Sequence, residues 1–155
     1  MNIVQTSILT LEQKQRLFKL WNSEYPERIC YNDLKEFEKY LADLSNLKHY
    51  LLIDDLKQLM GWAFTFLRED QNWFGIIIDT KLQGKGFGIL LLEELKKDNL
   101  VLNGWVTDHQ NYFKRNKKQY LSPLAFYTKC GFIVNENIRL ENEKISAVKI
   151  RWERT

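Results

Sequence analysis

Cysteine is nearly absent: Cys30 and Cys130 are the only two in 155 residues. They make no disulfide framework, and neither stands in a metal-type spacing. Histidine is as scarce, with only His49 and His109, which excludes a multi-histidine metal centre, and no resident metal is expected. The charge excess is small, +3 at neutral pH, and by itself argues for no nucleic-acid partner. No run of about 18 apolar residues exists, so no membrane-spanning helix is expected. The start, "MNIVQTSILTLEQKQRL", lacks the charged head and apolar stretch of a secretory signal. These absences lead to the expectation of a soluble protein of a reducing compartment, the cytoplasm. Internal repeats and Gly/Ser/Pro linkers are missing too, so a single domain over residues 1–155 is expected.

Hydrophobic residues make up 45% and charged residues 28% of the chain, ordinary globular proportions. Aromatics, at 14%, are enriched and point to a ring-rich core or pocket. "NIVQ" reads as a short edge strand. Thr10 and Gln13 form a capping box for a helix "LEQKQRLFKLWNS", with Leu17, Phe18, Leu20 and Trp21 on one side. Asn32 can cap a second helix, "DLKEFEKYLADL". "YLLIDD" and "QLMGWAFTFL" read as strands, and "REDQN" as the hairpin turn to a third strand. That third strand, "WFGIII", is apolar on both faces and therefore central. A helix with Ile89, Leu91, Leu92 and Leu95 follows, then a strand "VLNGWV". A long polar connection with Lys114, Arg115, Lys117 and Lys118 comes next; it is read as a solvated loop or as a flap that Tyr112, Phe113 and Tyr120 could anchor. "SPLAFYTKCG" has Ser122 at an N-cap, Pro123 in the first helical position and Gly131 past the end. "FIVN" and "ISAVKIRW" close the chain. The order β-α-α-β-β-β-α-β-α-β-β specifies an α+β mixed sheet rather than a doubly wound repeat.

Between the central strand and its helix stands "QGKGFG", Gln83 to Gly88. A helix N-terminus carries unpaired N–H groups and a partial positive charge. Glycines let an anion approach those groups, so the turn can cradle a phosphate or pyrophosphate. It is not a Walker A loop, which needs G-x-x-x-x-G-K-[ST], and its glycine spacing misses the Rossmann G-x-G-x-x-G. A tight turn without a ligand remains the plain alternative.

The pattern Q/R-x-x-G-x-G/A is matched fully by Gln83-Gly84-Lys85-Gly86-Phe87-Gly88. Together with "LAFYTKCGF", Leu124 to Phe132, it resembles the two signatures of the GNAT superfamily of N-acetyltransferases, in the same order. The likeness extends from about Tyr50 to Trp152. It implies the acyl-CoA N-acyltransferase fold, a mostly antiparallel sheet of about six to seven strands with about four helices. It implies acetyl-CoA as co-substrate and an amine acceptor, joined by direct transfer in a ternary complex. The backbone of Ile76, Ile77 and Ile78 would pair with the pantetheine arm, and Gln83, Gly84, Lys85, Gly86, Phe87, Gly88 and Ile89 would hold the pyrophosphate. Phe126 and Leu124 would pack on the arm or in the core, and Ser122 stands where the family commonly has an asparagine reaching the arm. Tyr127, a phenol neutral at pH 7, would protonate the departing thiolate. Asp79 is expected to be a turn residue, and Cys130 a small core residue.

The family often places a glutamate on the strand before the second signature. Here that strand carries Trp105 and no glutamate, so Asp108 and His109 are the nearest substitutes for a base, with Glu69 and Asp70 weaker ones. Hence the alternative of a non-catalytic acyl-CoA-binding module of the same fold. A homodimer is a family-level expectation, no membrane or nucleic-acid partner is expected, and the acceptor is not readable. Trp21, Trp62, Phe64, Trp73 and Trp105 either line a pocket or fill the core.

Overall fold

The elements of the computed structural model, which describes residues 1–155, are β1 (Asn2–Thr6), α1 (Leu11–Glu24), α2 (Leu34–Ala42), β2 (Ser45–Ile53), β3 (Leu59–Arg68), β4 (Gln71–Ile78), α3 (Phe87–Asp98), β5 (Val101–Val106), α4 (Leu124–Lys129), β6 (Ile133–Glu141) and β7 (Ser146–Glu153). Short 3₁₀ turns occupy Glu27–Ile29 and Thr80–Leu82. The order is the one expected. The capping box of α1 is present: Gln13 N donates to Thr10 Oγ1 at 3.1 Å and Thr10 N to Gln13 Oε1 at 2.9 Å.

Several boundaries differ from expectation. The N-cap of α2 is Asp33, not Asn32; its carboxylate accepts from Glu36 N at 2.9 Å. Asp33 is the residue three before an unpaired helical N–H, and its negative charge suits that end of the helix. α4 begins at Leu124, one residue later than Pro123; Ser122 Oγ accepts from Leu124 N and donates to the Thr107 carbonyl. β2 and β6 are longer than expected. The first residues of β2 are exposed and shifted in register between Ser45 and Lys48. β6 is an edge strand, exposed over most of its length, with a shift between Asn135 and Arg139. Strands with neither face buried carry no alternation to read.

The seven strands form one sheet in the order β1-β2-β3-β4-β5-β7-β6. Every neighbouring pair is antiparallel except β4 with β5. α1 and α2 cover one face with Leu17, Leu20, Trp21 and Phe37 against Leu51, Trp62 and Phe64. α3 and α4 cover the other with Leu91, Leu95 and Tyr127 against Tyr50, Leu52 and Ile150. β3 is buried on both faces from Leu59 to Phe66, which is why Met60, Trp62, Phe64 and Phe66 alternate with Gly61, Ala63 and Thr65.

His49 sits under α1 and α2, 2% exposed, and accepts the Trp62 indole N–H at 3.0 Å through Nδ1. Burial pulls its pKa down to about 4. The unfolded chain binds this proton near pH 6.5 and the folded chain does not, so stability is present above pH 6.5 and drains as pH falls toward 4. We expect the loss between pH 7 and pH 5 to be about 2 kcal/mol, read from urea unfolding. His49→Gln, which keeps an acceptor for the indole, should remove this part of the slope.

Candidate functional site

β4 and β5 register only at Trp73 and Asn103. Asn103 is fully buried and pins this point: its Nδ2 donates to Gln71 Oε1 and to the Asn72 carbonyl, each at 3.0 Å. Beyond it the strands part, so the backbone of β4 from Gly75 to Ile78 has a partner in β3 but none in β5. A parallel pair with one bridge leaves open amide and carbonyl groups, which demand a partner. The gap opens into a cleft of about 1110 Å³. Its walls include Ile76, Ile77 and Ile78 of β4, Gly104 to Thr107 at the end of β5, and Phe126 and Tyr127 of α4.

At one end of the cleft lies the glycine turn. Gln83, Gly84, Gly86, Gly88 and Ile89 line it; Lys85 and Phe87 do not. Lys85 is exposed, and Phe87 packs toward the α3 core. Gly86 is the N-cap of α3 with φ +90° and no side-chain cap, and Gly84 has φ +76°. A Cβ at either would meet nothing within 4 Å, so the turn faces open space. None of the N–H groups from Gly84 to Ile89 has a backbone partner, and the first helical bond is Leu90 N to Gly86 O. The cradle therefore fits an anionic group such as a diphosphate.

The turn is held from beneath. Asp79 accepts from Lys81 N at 2.9 Å and pairs with Arg16 at 2.8 Å. Partial burial would raise its carboxyl, but the Lys81 N–H and the Arg16 guanidinium outweigh burial and hold it below the usual carboxylate range. It is the turn residue expected. Glu24, which sequence reasoning missed, does more. Buried at the end of α1, it accepts from Thr80 N at 3.0 Å, Thr80 Oγ1 at 2.7 Å and Gln83 Nε2 at 3.2 Å, and faces Lys114 Nζ at 3.6 Å. A carboxylate in the last turn of a helix opposes the macrodipole; that misplacement was the signal available in the sequence. Glu24→Gln is expected to cost about 1–2 kcal/mol in urea unfolding, because the half-buried Lys114 is left without its counter-charge.

Tyr127 is 6% exposed, with its ring against Phe74, Phe126 and Phe132 at 5.1–5.5 Å between centroids. Its hydroxyl has no partner in the chain but is not sealed from the cleft. Burial pushes the phenol well above its ordinary value, so it stays protonated. Phe126 reaches over the turn: a Cβ at Gly88 would stand 3.2 Å from its ring.

Asp108 and His109 are not brought to this cleft. Arg139 holds the Asp108 carboxylate through two bonds of 2.8 and 3.0 Å, which keeps its pKa below the usual range. His109 Nδ1 accepts from Asn111 N, and its ring stands edge-on to Tyr112. It lines a separate depression beside Glu27 and Arg28. Glu69 and Asp70 form the tight β3–β4 turn, exposed and outside the cleft. Ser122 is not the α4 N-cap, which is Pro123; its hydroxyl is engaged with the Leu124 N–H and the Thr107 carbonyl. Chain direction explains these placements: past Val106 the backbone leaves β5 and is captured by the β6–β7 hairpin.

The basic connection is exposed from Arg115 to Gln119 yet tied to the body at several points. Tyr112 is buried and its hydroxyl accepts from Ser146 N at 2.8 Å, while Arg115 bonds the Tyr31 carbonyl and Lys117 pairs with Glu27. Phe113 is 55% exposed and anchors only through its carbonyl, which accepts from Glu27 N. Lys114 and Tyr120 reach the cleft. Of the five aromatics singled out, Trp21, Trp62, Phe64 and Trp73 are buried core residues, and Trp21, Phe64 and Trp73, together with the partly buried Trp105, also line the cleft. Thr107 Oγ1 is a further missed feature, a buried hydroxyl without a partner on a residue of the cleft wall.

No protein-family model matches the chain, and no curated protein sequence does. Solved structures do. An aminoglycoside 6'-N-acetyltransferase complexed with coenzyme A superposes with a TM-score of 0.74 at 13% identity, covering 99% of this chain and 97% of the other. The aminoglycoside 6'-N-acetyltransferase from Enterococcus faecium gives 0.72 at 14%, with coverages of 99% and 97%. A spermidine N-acetyltransferase variant from Vibrio cholerae gives 0.66 at 18%, with 99% and 95%. The chain has the GNAT acyl-CoA N-acyltransferase fold, as the two signatures implied.

Proposed function

We propose that the cleft is an acyl-transfer site in which the acetyl group of acetyl-CoA passes to an amine. One observation carries this: the unpartnered N–H run from Gly84 to Ile89 is continuous, through one cleft, with the unpaired edge of β4 and the Tyr127 hydroxyl. The structural neighbours, N-acetyltransferases of aminoglycosides and spermidine, support it at the level of fold.

Acetyl-CoA supplies an activated thioester carbonyl. The chain's part is to hold and to move protons. The amides of Gly84 to Ile89 take the diphosphate at the positive end of α3. The free edge of Ile76, Ile77 and Ile78 pairs with the amides of the pantetheine arm, as an added strand would. The amine nitrogen bonds to the acyl carbon and the carbon–sulfur bond breaks. The nitrogen gives up a proton to water, and the sulfur takes one from Tyr127, which recovers it from solvent. Glu24 is engaged with Thr80, Gln83 and Lys114 and serves the turn; no free carboxylate stands in the cleft.

That last fact favours one second reading, an acyl-CoA-binding module without turnover. Calorimetry with CoA, ATP and NAD, followed by acetyl-CoA consumption over an amine panel, separates them. Binding of CoA alone with turnover of an amine supports transfer. Binding without any turnover supports the module, and no CoA binding removes both.

A further inference from the structure

The acceptor end of the cleft has a composition of its own. Beyond Gly75, toward the start of β4, its wall is aromatic: Tyr31, Tyr40, Phe66, Trp73 and Trp105. The charged side chains of the cleft as a whole are Arg68, Lys114 and Lys144, with Glu24, beneath the glycine turn, as the lone carboxylate. Glu24 is saturated by Thr80, Gln83 and Lys114. A polycation entering this space would meet like charge and find no free acid, and like-charge juxtaposition disfavours such a partner.

Arg68 is the informative group. It makes no ion pair with a carboxylate of the chain, although Glu69 and Asp70 follow it directly. Its guanidinium instead lies over the rings of Phe66, at 5.0 Å, and Trp73, at 5.5 Å, and it lowers the Tyr40 phenol against the upward pull of burial. A guanidinium that rests over an aromatic wall and makes no ion pair keeps its donors free for a planar anion. Phe66 registers opposite Trp73 on β4, so the cation stands level with Trp73. The pantetheine arm, on the reading above, ends near Gly75 and Ile76. Two to three strand residues separate these levels, roughly 7–10 Å at about 3.3 Å per residue.

Resting on that acyl-transfer reading, we propose that the acceptor is an apolar amine bearing a carboxylate about a dipeptide's length from its nitrogen, such as a short aromatic peptide. Arg68 receives the carboxylate, the ring wall takes the apolar body, and polycations are rejected.

The test compares leucylphenylalanine, its C-terminal amide, spermidine and kanamycin as acceptors, with CoA binding measured calorimetrically on the same preparation. The free acid should exceed the amide in kcat/KM by roughly tenfold or more, through KM, and exceed both polycations. Arg68→Gln, at an exposed position, should bring the acid-to-amide ratio close to one by raising KM for the acid, with CoA affinity retained. An amide used as well as the acid, preference for spermidine or kanamycin, a ratio that survives in Arg68→Gln, or CoA binding with no acceptor of the panel acetylated overturns the substrate class alone. Failure to bind CoA overturns the acyl-transfer reading and this one with it.

Discussion

Gly86→Val is expected to weaken CoA binding by two to three orders of magnitude in calorimetry. Two effects add. At φ +90° an L-residue pays roughly 1–2 kcal/mol, and more when β-branched. The chain relieves that strain by moving the turn, which carries the amides of Gly84 to Ile89 away from a shared focus. Each charge-assisted bond lost to a phosphate is worth about 1.5–3 kcal/mol, and tenfold in affinity corresponds to about 1.4 kcal/mol. The position discriminates well, because a Cβ there meets no atom of the folded chain within 4 Å. The fold should therefore survive, with helical content close to wild type and melting lowered by several degrees by the φ strain. Gly86→Ala should fall between. Unchanged CoA affinity in the valine variant would remove the turn from the site.

Tyr127→Phe is expected to lower kcat about 100-fold, the lower range for loss of a positioned acid, with KM for acetyl-CoA within about twofold. The hydroxyl makes no hydrogen bond in the chain, so its removal should leave thermal unfolding unchanged. The ring keeps its contacts with Phe74, Phe126 and Phe132. Burial holds the phenol protonated well past neutrality, so wild-type turnover should show no loss of this acid as pH rises through the neutral range. A variant as fast as wild type would leave Tyr127 as one more packed ring.

Much of this site was legible in one dimension because its chemistry is local. Gly84 and Gly86 need positive φ, Gln83 to Ile89 stand at a helix start, and Phe126 and Tyr127 follow a helix signal; each is a statement about near neighbours in the chain. The base candidates Asp108 and His109 were chosen by the same proximity along the chain, and for them it misleads. Where the backbone goes after Val106 is decided by Arg139 and Ser146, more than thirty residues on. Glu24 and Lys114 meet across the cleft from α1 and the basic connection, and nothing local joins them. The alternation in β3 was visible because burial enforces it, whereas β6, a solvated edge, had none to show.

Element order, the glycine turn at the start of α3 and the phenol-bearing helix were determined by the sequence alone, since propensity, capping and backbone freedom act over a few residues. The parting of β4 from β5, the company kept by Glu24, and the unpaired Arg68 on its aromatic wall were decided only in the tertiary structure. They depend on strand register and side-chain packing between distant segments, which burial of the whole sheet sets and no short stretch of chain encodes.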